Sequence, residues 1–171
     1  QWHVVEAVAT LRLRGYPVTL DLVGAAYPPS LLRLKAALIR LDANCNWVRY
    51  HGVVQYEELH HRYAQADLGI FASSCENMPI ILLEKMGMGL PIACSNRGAM
   101  PEVLGNAGVY FDPESPKDIA HAVRTLIDSP ELRSEMASLS FNAAKSFSWE
   151  NCASNTFAFF AKVAHKLSRA R

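Results

Sequence analysis

The sequence predicts an α/β fold, a doubly wound parallel sheet with helices on both faces. Three observations carry this. Short apolar runs alternate with longer helix-period stretches along the whole chain. The run Leu68-Gly69-Ile70-Phe71-Ala72 is apolar on both faces, as a central strand covered by helices on either side must be. Strand–helix alternation on this rhythm implies right-handed crossovers between parallel strands. The 171 residues match one domain at ~150 residues per domain. A chain of this size buries about 70% of its unfolded surface and needs no disulfide or metal staple.

The elements follow in order. A helix over residues 2–14 is closed by Gly15, and Tyr16-Pro17 launches a strand over 18–23 that Gly24 ends. The Tyr27-Pro28-Pro29 loop feeds a helix over 30–41 with Ser30 as its cap. A strand over 47–50 precedes Gly52, a helix spans 57–65, and the strongest strand spans 68–72. The next helix, 78–88, has Asn77 as N-cap and Pro79 in its first turn, where a missing N–H costs nothing. Gly87-Met88-Gly89 ends that helix, so it reads as a C-cap and turn and not as a phosphate-binding glycine fingerprint. Strands over 91–94 and 109–111 precede helices over 116–128, 130–146 and 149–167, the last two started by Ser129-Pro130-Glu131 and Ser148-Trp149-Glu150. No internal repeat or low-complexity linker interrupts them. The chain opens on a helix where doubly wound folds open on a strand: either the domain is built differently or a first strand precedes Gln1.

Composition excludes several function classes. Seventeen Lys+Arg stand against 16 Asp+Glu, a net charge of +1, without the basic excess of a nucleic-acid surface. No run of ~18 apolar residues reads as a membrane span, and the first residues carry no signal-peptide pattern. Cys45, Cys75, Cys94 and Cys152 have no paired spacing for zinc or redox chemistry, and are expected reduced, in or near the core. Adjacent His60 and His61 point about 100° apart on a helix and read as surface residues.

Ligands of open parallel sheets bind outside the carboxyl ends of the strands, near helix N-termini. The segment from Ser73 to Gly89 follows the strongest strand directly, and its helix start offers free amides, Ile80 foremost, to an anion such as a pyrophosphate. Glu76 and Glu84 bracket that start. Four apolar residues, Ile80 to Leu83, precede Glu84, so its helix is expected to be largely buried, and a carboxylate there needs hydrogen bonds. Ribose hydroxyls would supply them; pairing with a basic side chain, with Glu76 merely favouring the helix dipole, is the other reading. A glycosidase pair is disfavoured, because both acids lie on one short stretch and cannot flank a bond across an open cleft. No nucleophile elbow surrounds Ser73-Ser74, which read as turn hydroxyls beside a ligand. Arg97 is either a phosphate or acceptor contact or a solvated loop residue. Phe157, Phe159 and Phe160 are either core or a face covering another unit.

The Glu76-x7-Glu84 segment, Gly89-Leu90-Pro91-Ile92, Pro101-Glu102-Val103, Ala64-Gln65-Ala66-Asp67-Leu68 and Gly108-Val109-Tyr110-Phe111-Asp112-Pro113 stand in one order, ending near Phe147-Ser148-Trp149-Glu150. The chain thereby resembles the nucleotide-sugar-binding half of family-4 retaining glycosyltransferases, whose GT-B architecture faces two Rossmann-like domains across a cleft. The resemblance implies that Glu76 contacts donor-sugar hydroxyls at the reacting centre and Glu84 the ribose hydroxyls. Asn77, Met78, Pro79 and Ile80 would line the sugar and diphosphate, with Ser74 nearby. Gly52, Val53 and Val54 would lie beside the base. Gly24 is either pocket lining or a turn glycine.

The same resemblance implies transfer of a hexose, with mannose from GDP-mannose favoured over UDP-hexoses, to a glycan or lipid-linked acceptor in polysaccharide biosynthesis. It implies no cofactor, no metal and no nucleic-acid partner. The full-length enzyme would be cytoplasmic, with peripheral association at the inner face of the membrane. The family's Arg and Lys after the domain's first strand have no match in residues 1–15, so that strand, the Lys and the N-terminal acceptor domain are expected upstream of Gln1. Asn77-Met78-Pro79 replaces a Gly-rich version in many members and alters the pocket width. The chain alone is expected to bind nucleotide weakly and catalyse little. The alternative function is a GT-B-like nucleotide-binding module without transfer; a flavodoxin-like receiver lacks its loop fingerprint.

Overall fold

In the computed structural model, which describes residues 1–169, α1 (Trp2–Leu13) leads through β1 (Leu20–Val23) and α2 (Pro28–Leu41) to β2 (Val48–Gly52). Next come α3 (Tyr56–Gln65), β3 (Gly69–Phe71), α4 (Ile80–Gly87), β4 (Ile92–Ser95), α5 (Met100–Leu104) and β5 (Gly108–Phe111). The helices α6 (Pro116–Asp128), α7 (Pro130–Ala144) and α8 (Trp149–Arg169) follow. Every pairing is parallel, as the helical crossovers require. The strands form two ladders, β1–β2 and β3–β4–β5, where a single sheet was expected; among the described residues no ladder joins β1 to β3.

One apolar core nevertheless spans both ladders. Leu20 and Val48 from the first, and Ala93 and Phe111 from the second, cluster with Val5, Val8 and Leu11 of α1 and Ile119, Val123 and Leu126 of α6. Helix α1 is buried at Val4, Val5, Ala7, Val8, Ala9 and Leu11, too many positions for a one-sided surface helix, and packs on both α2 and α6. A second cluster, Tyr63, Leu82, Met86, Ile92, Met100 and Leu104, fixes α4 against β4 and α5. Helix α5 has no counterpart among the expected elements, because five residues are too few to show a helical period.

Several local expectations are corrected. Helix α2 starts at Pro28 with Tyr27 as N-cap and no side-chain cap, since two prolines fill its first turn; Ser30 lies inside it. Of the cysteines only Cys94 is buried; Cys45, Cys75 and Cys152 sit on exposed turns and on α8. Phe157, Phe159 and Phe160 are 70%, 62% and 59% exposed, so they are not core. Ser129 and Ser148 cap as expected, their hydroxyls accepting from the amides of Leu132 at 3.2 Å and Asn151 at 3.1 Å.

Candidate functional site

The carboxyl ends of the strands carry the candidate residues. At the end of the β1–β2 ladder the register slips between Leu22 and Val23, so that Val23 faces Gly52 and His51 is passed over. The Gly24 amide then donates to the Gly52 carbonyl at 2.7 Å, and the Tyr50 hydroxyl donates to the Gly24 carbonyl at 3.1 Å. Both glycines have positive φ, +127° and +66°. The two are thus brought together as one backbone corner, with Val53 exposed beyond it and Val54 half-buried. The strand end is pinned by a polar group on its flank: His51 Nε2 lies 2.5 Å from Asp21 Oδ1 and 2.9 Å from Arg62 Nη1.

The loop after β3 carries Ser74, Asn77 and Met78 exposed, Glu76 half-buried and Pro79 buried. Helix α4 begins at Ile80, two residues later than expected, and Asn77 does not cap it. The cause is Pro79, whose φ −80° and ψ 75° form an inverse γ-turn in which the Ile80 amide donates to the Met78 carbonyl at 2.9 Å. Ile80 is therefore not the free donor that the sequence suggested. The amides of Leu82 and Leu83 both go to the Pro79 carbonyl. Among the described residues, the amides of Asn77, Met78 and Ile81 have no protein acceptor.

Nor is α4 largely buried. Leu82 and Met86, one turn apart, point inward, while Ile80 and Ile81 are 50% and 55% exposed beside the exposed Met78. Half-buried Glu84 takes a hydrogen bond from the Tyr63 hydroxyl, 3.2 Å from its Oε2, and not from a basic side chain. Lys85 places its ammonium 4.6 Å from the centre of the Tyr63 ring. Burial pulls the Lys85 ammonium down to about 8, against the opposing pull of the Glu84 charge. Burial and the Glu84 charge both push the Tyr63 phenol up, so it stays protonated and donates.

Glu76 is approached from another loop. A Cβ built on Gly98, whose φ is +53°, would lie 3.7 Å from the Glu76 carbonyl oxygen. Arg97 turns away into an ion pair with Asp112 at 3.0 Å, tying the loop after β4 to the loop after β5. The strand ends thus supply two groups, Gly24 with Gly52 and Glu76 with the head of α4, and no hydrogen bond joins Glu76 to Glu84 among the described residues. Sequence reasoning missed Tyr63 and Lys85, and it placed Arg97-Gly98 on the cleft side without showing that Gly98 approaches Glu76. Tyr63 directly precedes the quoted Ala64-Gln65-Ala66-Asp67, but nothing in one sequence says that it reaches across to α4.

The model of the family described as glycosyl transferases group 1 matches residues 1–129. The O-antigen chain mannosyltransferase B of Escherichia coli is 39% identical over 120 residues, which is 70% of this chain and 31% of that protein. Among solved structures, the C-terminal domain of a glycosyl transferase group 1 family protein (LpcC) from Francisella tularensis superposes with a TM-score of 0.74 at 24% identity, covering 85% of this chain and 77% of that one. Anabaena HepE in complex with UDP-glucose gives a TM-score of 0.75 at 21% identity, over 99% of this chain and 45% of that one. This chain therefore spans about a third of the E. coli protein, at 31% of its length, and its Rossmann-like fold is that of one half of a GT-B glycosyltransferase. By a family match that covers most of its length, the chain belongs to the group 1 glycosyl transferases.

Proposed function

We propose that this chain is the donor-binding half of a retaining glycosyltransferase that moves a hexose from a sugar nucleotide to a glycan or lipid-linked acceptor. The observation that carries the reading is the head of α4. Three unpaired amides, at Asn77, Met78 and Ile81, stand there between Glu76 in the preceding loop and Glu84 in the helix. Amides at a helix start favour a diphosphate, and two carboxylates on either side accept from hydroxyls. Glu76 takes the sugar near the reacting carbon, and Glu84 takes the ribose. Pro79 and Ile80 line the diphosphate without donating. Gly24, Gly52, Val53 and Val54 lie beside the base, and Ser74 stands at the pocket edge.

Leaving-group charge is met by these amides and by basic residues outside the chain, which is electrostatic preorganisation and needs no covalent intermediate on the protein. Mannose is the proposed sugar, in keeping with the E. coli relative's name; the UDP-glucose held by the Anabaena neighbour makes a UDP donor the competing choice.

The split sheet supports a further part of the reading. A strand preceding Gln1 would lie between β1 and β3 and join two parallel ladders that already share a core. The acceptor domain would precede that strand, and the diphosphate-binding Lys would lie in the loop that follows it, just before α1. No helix among the described residues is long and apolar enough to cross a membrane; peripheral association of the full protein with the membrane is proposed separately, for a lipid-linked acceptor.

The test is donor turnover by the full protein with GDP-mannose and UDP-glucose. Glu76→Ala should lower kcat by about 100-fold or more. Retained turnover in that variant removes Glu76 from the reacting centre, and absence of turnover with every donor favours the non-catalytic module.

A further inference from the structure

We infer that Tyr63 is a positioning residue for Glu84, and that its hydroxyl sets the preference of the site for a ribose over a 2′-deoxyribose. The inference rests on the proposed reading of Glu84 as the ribose ligand. It starts from the reach of Tyr63 across two elements: the side chain leaves α3, is 7% exposed, and ends 3.2 Å from Glu84 Oε2 on α4. The ring is held in place by its burial with Leu82 and Met86 and by the Lys85 ammonium over its face. The Lys85 stem passes over Gly69, where an added Cβ would stand 3.1 Å from its Cδ. The phenol is therefore a fixed donor.

An ionised carboxylate on a flexible side chain offers about four lone-pair positions. A diol that accepts no other partner needs two of them at once, in one plane. A bond to Oε2 from a rigid phenol removes the rotation of the carboxylate about its terminal bond. It leaves Oε1 whole and one position on Oε2 for the two ribose hydroxyls. This is preorganisation: the ordering cost is met in the folded protein and not at binding. Glu84 without Tyr63 is still a carboxylate and still binds, but it chooses less sharply.

The experiment is a set of calorimetric titrations on the full protein with the ribonucleoside diphosphate it binds and the 2′-deoxy form of the same nucleotide. Wild type, Tyr63→Phe, Glu84→Ala and the double variant are compared. Tyr63→Phe should weaken the ribonucleotide by about three- to tenfold and the 2′-deoxy form, which keeps only its 3′-hydroxyl for Glu84, by less, so the ratio of the 2′-deoxy to the ribonucleotide dissociation constant falls. The same substitution made in Glu84→Ala should change neither. Because the ratio does not depend on the fraction of protein folded, partial misfolding of Tyr63→Phe does not hide the result. If Glu84→Ala lowers the ratio and Tyr63→Phe does not, the positioning role of Tyr63 is overturned while the reading of Glu84 stands. If Glu84→Ala leaves the ratio unchanged, Glu84 does not hold the ribose and both fall.

Discussion

The Gly24 amide donates to the Gly52 carbonyl at 2.7 Å, so the last bond of the β1–β2 ladder is made by two residues that both need a positive φ. A Cβ on either glycine would meet nothing within 4 Å, so any cost of substitution is purely a backbone cost. The φ of +127° at Gly24 belongs to a range open essentially to glycine alone, whereas +66° at Gly52 falls in the φ range that left-handed helical residues also use. Gly24→Ala should therefore lower stability by about 2 kcal/mol and Gly52→Ala by about 1 kcal/mol. Urea unfolding of the two variants checks the order; equal losses would mean that the corner relaxes.

Gly108 poses the opposite problem. Its φ is ordinary, but an added Cβ would stand 2.7 Å from the Ile92 carbonyl oxygen and 2.6 Å from Leu104 Cδ2. The first of these is backbone in the β4–β5 ladder, where Ile92 pairs with Gly108, and it cannot rotate away. Gly108→Ala should cost about 3 kcal/mol, and a thermal midpoint within a degree or two of wild type would contradict this geometry.

Asp42 ends α2 and ties down the turn into β2. Its carboxylate accepts from the amides of Asn46, Trp47 and Val48 at 2.9, 2.9 and 2.7 Å. Burial opposes its ionisation, but these three amides and the Arg12 charge outweigh burial and hold the carboxyl below its ordinary value. A depressed carboxyl contributes stability that is present above the ordinary value of 3.8 and lost as pH falls through the folded one. Asp42→Ala should cost about 3 kcal/mol near neutral pH, with the gap from wild type closing on acidification. A gap constant down to pH 2 would rule out this account.

Lys85 gives the reverse sign. With a folded value of about 8 against an ordinary 10.5, the unfolded chain binds more protons between those limits. Stability should rise with pH across that window. Lys85→Met keeps the stem over Tyr63 and removes the charge. It should gain about 1 kcal/mol below pH 8 after allowance for solvent screening, and should lose the rise. The difference between the two proteins in chemical denaturation from pH 7 to 10.5 is the measurement.

Much of the architecture was legible because it follows from period and punctuation. Seven helices and five strands stand near their expected places, and Ser129 caps where Pro130 implied a first turn. What was not legible depended on three dimensions. The inverse γ-turn at Pro79 displaced the start of α4, since a proline that fits a first turn also fits the position before it. The exposure of Ile80 and Ile81 came from α4 burying only the face of Leu82 and Met86. The partner of Glu84 was a tyrosine 21 positions earlier, which no local spacing announces. Arg97, left open between phosphate and solvent, is held by Asp112.

The central claim is that the head of α4 binds a sugar nucleotide, with Glu84 on its ribose. Titration of the full protein with GDP and with UDP, repeated on Glu84→Ala, tests it most directly. The account predicts saturable binding of at least one of them, weakened about tenfold or more in Glu84→Ala, in a variant that still unfolds cooperatively in the absence of nucleotide. Equal affinity of the two proteins, or no binding of either nucleotide by folded wild type, would contradict it.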